Sequence, residues 1–129
     1  MKNFAGWVTR VVAPKKNLKE FRNNWQLPLR AAFTDRIYKT DKFLVDGEWA
    51  SCFWHIDAIH SGEFMGIVPT NKRVKIHYTD FWEVKDGLIT DNWVTVDFPS
   101  ILAQLGVDVF NGQGWETYDR GEKKPLKPE

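Results

Sequence analysis

Between Arg73 and Val84 the chain alternates with a strict period of two, and the face carrying Val74, Ile76, Tyr78, Trp82 and Val84 also carries one carboxylate, Asp80. The opposite face reads Arg73, Lys75, His77, Thr79, Phe81 and Glu83, so this is a strand with one buried side. Asp80 then points into apolar surroundings. An ionised carboxylate is costly there unless it is paired, hydrogen-bonded or held neutral by a raised pKa, and such groups in cavities are functional candidates.

Further runs have the same character. Arg36 to Val45, Trp49 to His60 and Leu88 to Val96 read as strands, and Asp46-Gly47 and Asp86-Gly87 are the Asp-Gly dipeptides that close hairpins. Neighbouring strands are therefore expected to be antiparallel. A twelve-residue strand extends about 40 Å at roughly 3.3 Å per residue, so strands of this length are expected to bend, giving the sheet a concave face.

Helical spacing appears on either side of the strands. Asn17 followed by Glu20 resembles a capping box, and Leu18, Phe21, Trp25, Leu29 and Ala32 then share one face. Pro28 lies inside that pattern and must kink or restart the helix, since its ring removes a donor and clashes with the preceding turn. Asp97 can cap a last helix from Phe98 to Leu105, ended by Gly106 and placed to close the mouth of the sheet. Phe4 to Val12 reads as a short apolar segment, and residues 107–129 as a tail.

At 129 residues, with 43% hydrophobic and 15% aromatic residues, we expect a single domain, residues 1–129, with its core over 15–106. Eighteen basic and seventeen acidic residues leave a net charge of +1, which gives no reason to expect a nucleic acid or membrane partner. A small, weakly polar molecule fits better. The single cysteine, Cys52, rules out an internal disulfide framework and suits a reducing, cytoplasmic setting.

Two readings of Asp80 stand side by side. It is either a general base or neutral acid in a cavity lined by Tyr78, Trp82 and Trp54, or a carboxylate satisfied by backbone amides or an arginine. Its cross-strand neighbours depend on the turn at Asp86-Gly87. A two-residue loop sets Trp93 opposite Asp80, whereas a three-residue loop with a glycine bulge presents Asn92 and Val94, and the bulged turn is the expectation. His55, His60 and His77 are not expected to converge on one ion, so no metal site is expected, and His60 is placed at a cavity rim.

The run His60-Ser61-Gly62-Glu63-Phe64-Met65-Gly66-Ile67-Val68-Pro69-Thr70-Asn71-Lys72-Arg73, then Asp80 to Ile89, Asn92-Trp93 to Asp97 and Ile101 to Gly106, resembles the SnoaL-like polyketide cyclases over residues 33–106. The resemblance implies an α+β fold, the cone-shaped α+β barrel: a curved antiparallel sheet wrapped around helices with an apolar cavity, often as a homodimer. It also implies ring closure by acid/base chemistry with no cofactor. The cyclase pattern has histidine and aspartate in the last strand where this chain has Asn92 and Val94, and histidine in the previous strand where it has Asp80. The expected activity is that of a cofactor-independent cyclase, isomerase, lyase or hydrolase running through Asp80, with Trp54, Tyr78, Trp82, Asn92, Val94 and His60 shaping the binding site for a small apolar or polycyclic ligand. The alternatives are a non-catalytic binding module and a dimeric scaffold whose cavity is filled by its own tryptophans.

Overall fold

The computed structural model describes residues 17–110, so the apolar segment at Phe4 to Val12 and the tail beyond Phe110 lie outside the described residues. Two short helices, α1 (Leu18–Phe21) and α2 (Leu27–Ala32), are joined by a π-helical turn over Arg22–Gln26. Four strands follow, β1 (Phe33–Asp46), β2 (Trp49–His60), β3 (Arg73–Lys85) and β4 (Leu88–Val96), and then α3 (Phe98–Gln104). The strands form one antiparallel sheet in the order β1-β2-β3-β4. The first helical segments lie across its apolar face, giving the α+β fold expected of the cone-shaped barrel.

The first helix starts as its cap residue dictates, with Asn17 Oδ1 accepting from Glu20 N at 2.9 Å. Pro28 acts on the turn before it rather than by a sharp break. The Leu27 amide reaches back five residues to Arg22 O, and this wider turn makes room for a ring that would otherwise press on the carbonyl four residues earlier. Helical direction continues into α2, which ends where Phe33 turns extended. Strand β1 thus begins three residues before the expected Arg36.

Both hairpins close with two-residue turns: Gly47-Glu48, with a positive φ of 57° at Gly47, and Asp86-Gly87, with positive φ at both residues, 51° and 73°. The expected three-residue bulged turn is therefore incorrect. A bulge is present, but it lies inside the hairpin: Val84 faces Ile89 while Glu83 faces Asp91, leaving Thr90 as the extra residue. Its hydroxyl donates to Glu83 O at 3.2 Å. The parity shift follows from this bulge, so Val94 faces Asp80 and Asn92 faces Trp82. Trp93 falls on the outer face, stacked on Trp49 at 5.2 Å.

The core lies between the inner sheet face and the helices, with Trp25, Phe33, Ile56, Val74, Ile76, Val96, Phe98 and Ile101 all buried. Trp25 and Phe98 meet edge to face at 6.0 Å, which ties the π-helical turn to α3. Helix α3 does not close the cavity mouth. Its buried residues Phe98 and Ile101 join the core, and Gln104 fastens it to β3 through Lys75 N and O, each at 2.8 Å. Asp97 caps it by accepting from Ser100 N at 3.1 Å. Asp97→Ala is expected to cost about 1 kcal/mol, read as a lower urea midpoint at unchanged slope.

Candidate functional site

One cavity of about 200 Å³ opens between the π-helical turn, α2 and the inner sheet face. Phe21, Trp25 and Leu29 form its helical wall, while Trp54, Tyr78, Asp80, Asn92 and Val94 lie on its sheet wall. Those five sheet residues are among the sequence candidates, and they come together because every second residue of β2, β3 and β4 faces inward.

Asp80 is only 5% exposed, and each of its carboxylate oxygens has a donor. Trp54 Nε1 donates to Oδ2 at 2.5 Å, and Asn92 Nδ2 donates to Oδ1 at 3.3 Å. In place of an arginine or backbone amides, the carboxylate is satisfied by two side-chain donors that themselves line the cavity. Burial pushes the Asp80 carboxyl above its ordinary range, and the bonds from Trp54 and Asn92 pull it partly back. The result is a carboxylate more basic than one in water, held in a fixed orientation.

The Trp54 indole is fixed by its neighbours. It stacks on Tyr78 at 4.3 Å and on Tyr38 at 6.0 Å, one ring from each of three adjacent strands. Trp54→Phe keeps this stack but removes the Nε1–H donor, so the Asp80 carboxyl is expected to titrate higher still. Carbon-detected magnetic resonance of the carboxyl checks this, and an unchanged or lower midpoint contradicts the assigned role.

Tyr78 is buried, and desolvation, with smaller contributions from Tyr38 and Asp80, drives its hydroxyl well above the ordinary phenol range. The phenol is therefore a neutral donor at any working pH. Arg36 supplies positive charge at the cavity mouth. Its Nη1 donates to Phe33 O at 2.7 Å and Arg30 O at 3.2 Å, while its Nε donates to the Tyr38 hydroxyl at 3.2 Å. These bonds cap carbonyls at the end of α2 and hold the guanidinium in place.

Two candidates are misplaced by the sequence reading. Trp82 shares the Asp80 face but does not line the cavity; it sits two residues nearer the hairpin tip, opposite Asn92. His60 is also not at the rim. It is fully buried at the far end of β2, packed on Phe33 at 5.5 Å, with Nδ1 accepting from Thr70 N at 3.1 Å. Conversely, Arg36 and Tyr38 line the cavity without any signal in the strand pattern. Arg36 lies within, and Tyr38 just after, a β1 irregularity between Thr34 and Ile37, where Asp35 has a φ of 50°, so alternation counted across it loses phase.

The family model of the SnoaL-like polyketide cyclases matches residues 7–105. The chain belongs to this family. Over 88 residues it is 26% identical to nogalonic acid methyl ester cyclase from Streptomyces nogalater, covering 67% of this chain and 66% of that relative. The SnoaL-like fold is shared with IdmH from Streptomyces antibioticus, proposed to be a polyketide cyclase, at a TM-score of 0.63 and 28% identity over 74% of this chain and 67% of that one. It is also shared with AclR from Streptomyces galilaeus, proposed to be a hydroxylase, at a TM-score of 0.70 and 21% identity over 82% and 68% of the two chains. Among the described residues of this SnoaL-like chain no helix is long and apolar enough to cross a membrane.

Proposed function

We propose that this SnoaL-like chain is an acid/base catalyst of ring closure in a polycarbonyl substrate of polyketide type, with Asp80 as the proton-transfer group. The observation carrying this reading is a buried carboxylate with both oxygens held, on the wall of an otherwise largely apolar cavity. In the proposed reaction the Asp80 carboxylate takes a proton from a carbon between two carbonyl groups. The resulting enolate attacks a second carbonyl of the same molecule, forming a carbon–carbon bond. The carbonyl electron pair becomes an alkoxide, which takes a proton back from Asp80, so the step is a net isomerisation and needs no cofactor. Neutral Tyr78 is suited to donate to the enolate oxygen, and the Arg36 guanidinium to a carbonyl or carboxylate at the mouth. Trp54 and Asn92 orient Asp80, while Val94 leaves the wall opposite it apolar.

The test is incubation with nogalonic acid methyl ester, the substrate class of the named relative, and with shorter synthetic polyketones. A ring-closed product of unchanged mass, formed by the wild type and not by Asp80→Asn, is the expected result. Tight retention of an unchanged ligand would instead establish the second reading, a binding module. Val94 favours that alternative, because it stands where the cyclase pattern carries a carboxylate. We also retain the homodimer and the cytoplasmic setting in this proposal. Exposed Ile37, Phe43, Leu44 and Val45 on β1 support the dimer, and sedimentation velocity tests it.

A further inference from the structure

The outer face of the sheet brings together groups that the sequence reading kept apart. His55 and His77 are direct cross-strand partners on β2 and β3, with ring centroids 5.6 Å apart. Their pairing was illegible because a twelve-residue connection separates the strands, so no tight turn fixes the register. Asp41 joins them through a second β1 irregularity. Thr40 faces Trp54 and Lys42 faces Phe53, leaving Asp41 as an extra residue whose carboxylate meets His55 Nδ1 at 2.7 Å.

We infer that Asp41, His55 and His77 form a binding site for a divalent first-row transition metal ion of the zinc class. One ligand atom from each lies within 4.8 Å of the others. Ligands held at about 2.0–2.2 Å around a tetrahedral ion stand roughly 3.3–3.5 Å apart, so modest side-chain movement closes the set. Two imidazoles and one carboxylate are a donor set such ions favour over magnesium or calcium, which prefer oxygen. A second observation points the same way. His77 Nδ1 is buried and meets no hydrogen-bonding partner among the described residues, an arrangement that is costly for a ring nitrogen without an ion or solvent. The His77 ring itself is held by stacking on Phe53 at 5.9 Å with 10° between planes.

The three ligands come from three adjacent strands, so the ion would pin β1, β2 and β3 together on the face away from Asp80. The site is independent of the proposed ring closure. Its test uses untagged full-length protein titrated with Zn²⁺ by calorimetry, and with Co²⁺ followed by its visible ligand-field absorption. One equivalent of each ion is expected to bind, with a higher melting temperature in zinc. Asp41→Asn and His77→Gln are each expected to weaken zinc binding by roughly 100-fold, at or beyond the loss typical of an outer partner of a ligand. Asp41 is exposed, so its conservative variant is expected to fold even where a histidine variant does not. Absence of saturable binding, or equal zinc affinity in the wild type and Asp41→Asn, overturns the site.

Discussion

Asp80→Asn is expected to lower turnover of any substrate that the wild type cyclises by roughly 10²- to 10⁴-fold, the usual contribution of a positioned proton-transfer group. The variant is well suited to the question because asparagine keeps the shape and can keep both hydrogen bonds. Its carbonyl oxygen accepts from Trp54 Nε1, and a half-turn of the Asn92 amide lets its own NH₂ group donate to that neighbour. Loss of activity would therefore report loss of the base and not collapse of the wall. A titration supplies the complementary readout. Burial raises the Asp80 carboxyl above its ordinary value of 3.8, so the folded protein holds a proton over a range in which the unfolded chain has released it. Stability contributed by this group is consequently full below 3.8 and declines as pH rises through the higher folded value. Asp80→Asn is expected to lack that decline and to match or exceed wild-type stability at neutral pH. Undiminished turnover by the variant would remove Asp80 from the mechanism.

The second large effect concerns stability. Gly62→Ala is expected to destabilise the protein by about 3 kcal/mol, at the upper end of what overpacking costs. Both Ser61 N and Gly62 N donate to Ala32 O, at 3.1 and 3.0 Å, clamping the end of α2 to the connection after β2. A Cβ at Gly62 would overlap the carbonyl oxygen of Ala31 and lie 3.0 Å from its carbonyl carbon and 3.1 Å from Ala32 Cα. All three atoms are backbone, so no rotamer change can make room. Either the clamp opens or α2 shifts, and α2 carries Leu29 and Arg30 on the cavity wall. Chemical denaturation would show a lower midpoint. An unfolding free energy within about 0.5 kcal/mol of wild type, the effect of an ordinary surface change, would contradict the close approach.

Alternation made the strands legible, since β2 and β4 run over the residues that period two marks out, and it placed Tyr78, Asp80 and Trp54 on one inward face. Where the period held, so did the face. Where the chain inserts a residue, inference from local pattern loses phase: Arg36 lies within one such irregularity and Tyr38 just beyond it, Asp41 forms another, and Thr90 a third. The sequence places Asn92 and Val94 on the correct side through the wrong turn, because a bulge inside the strand and a bulge in the loop have the same effect on parity. The burial of His60 is hidden for a different reason. A strand end beside Ser-Gly reads as solvent-facing, and only tertiary packing against Phe33 and the Thr70 amide shows it to be core. The convergence of His55 and His77 required long-range register, which no local pattern carries.

The bulge at Thr90 bears on how relatives of this chain are compared. In a regular two-residue hairpin, one surplus residue before the wall would have exchanged Asn92 and Val94 for Asp91 and Trp93, filling the cavity with an indole and a second acid. Here the surplus is absorbed at a single position near the tip, so hairpins of odd and even length can present the same wall. A gap placed one column away from Thr90 in an alignment would pair inward residues with outward ones, and would make a conserved pocket look as though its chemistry had been replaced.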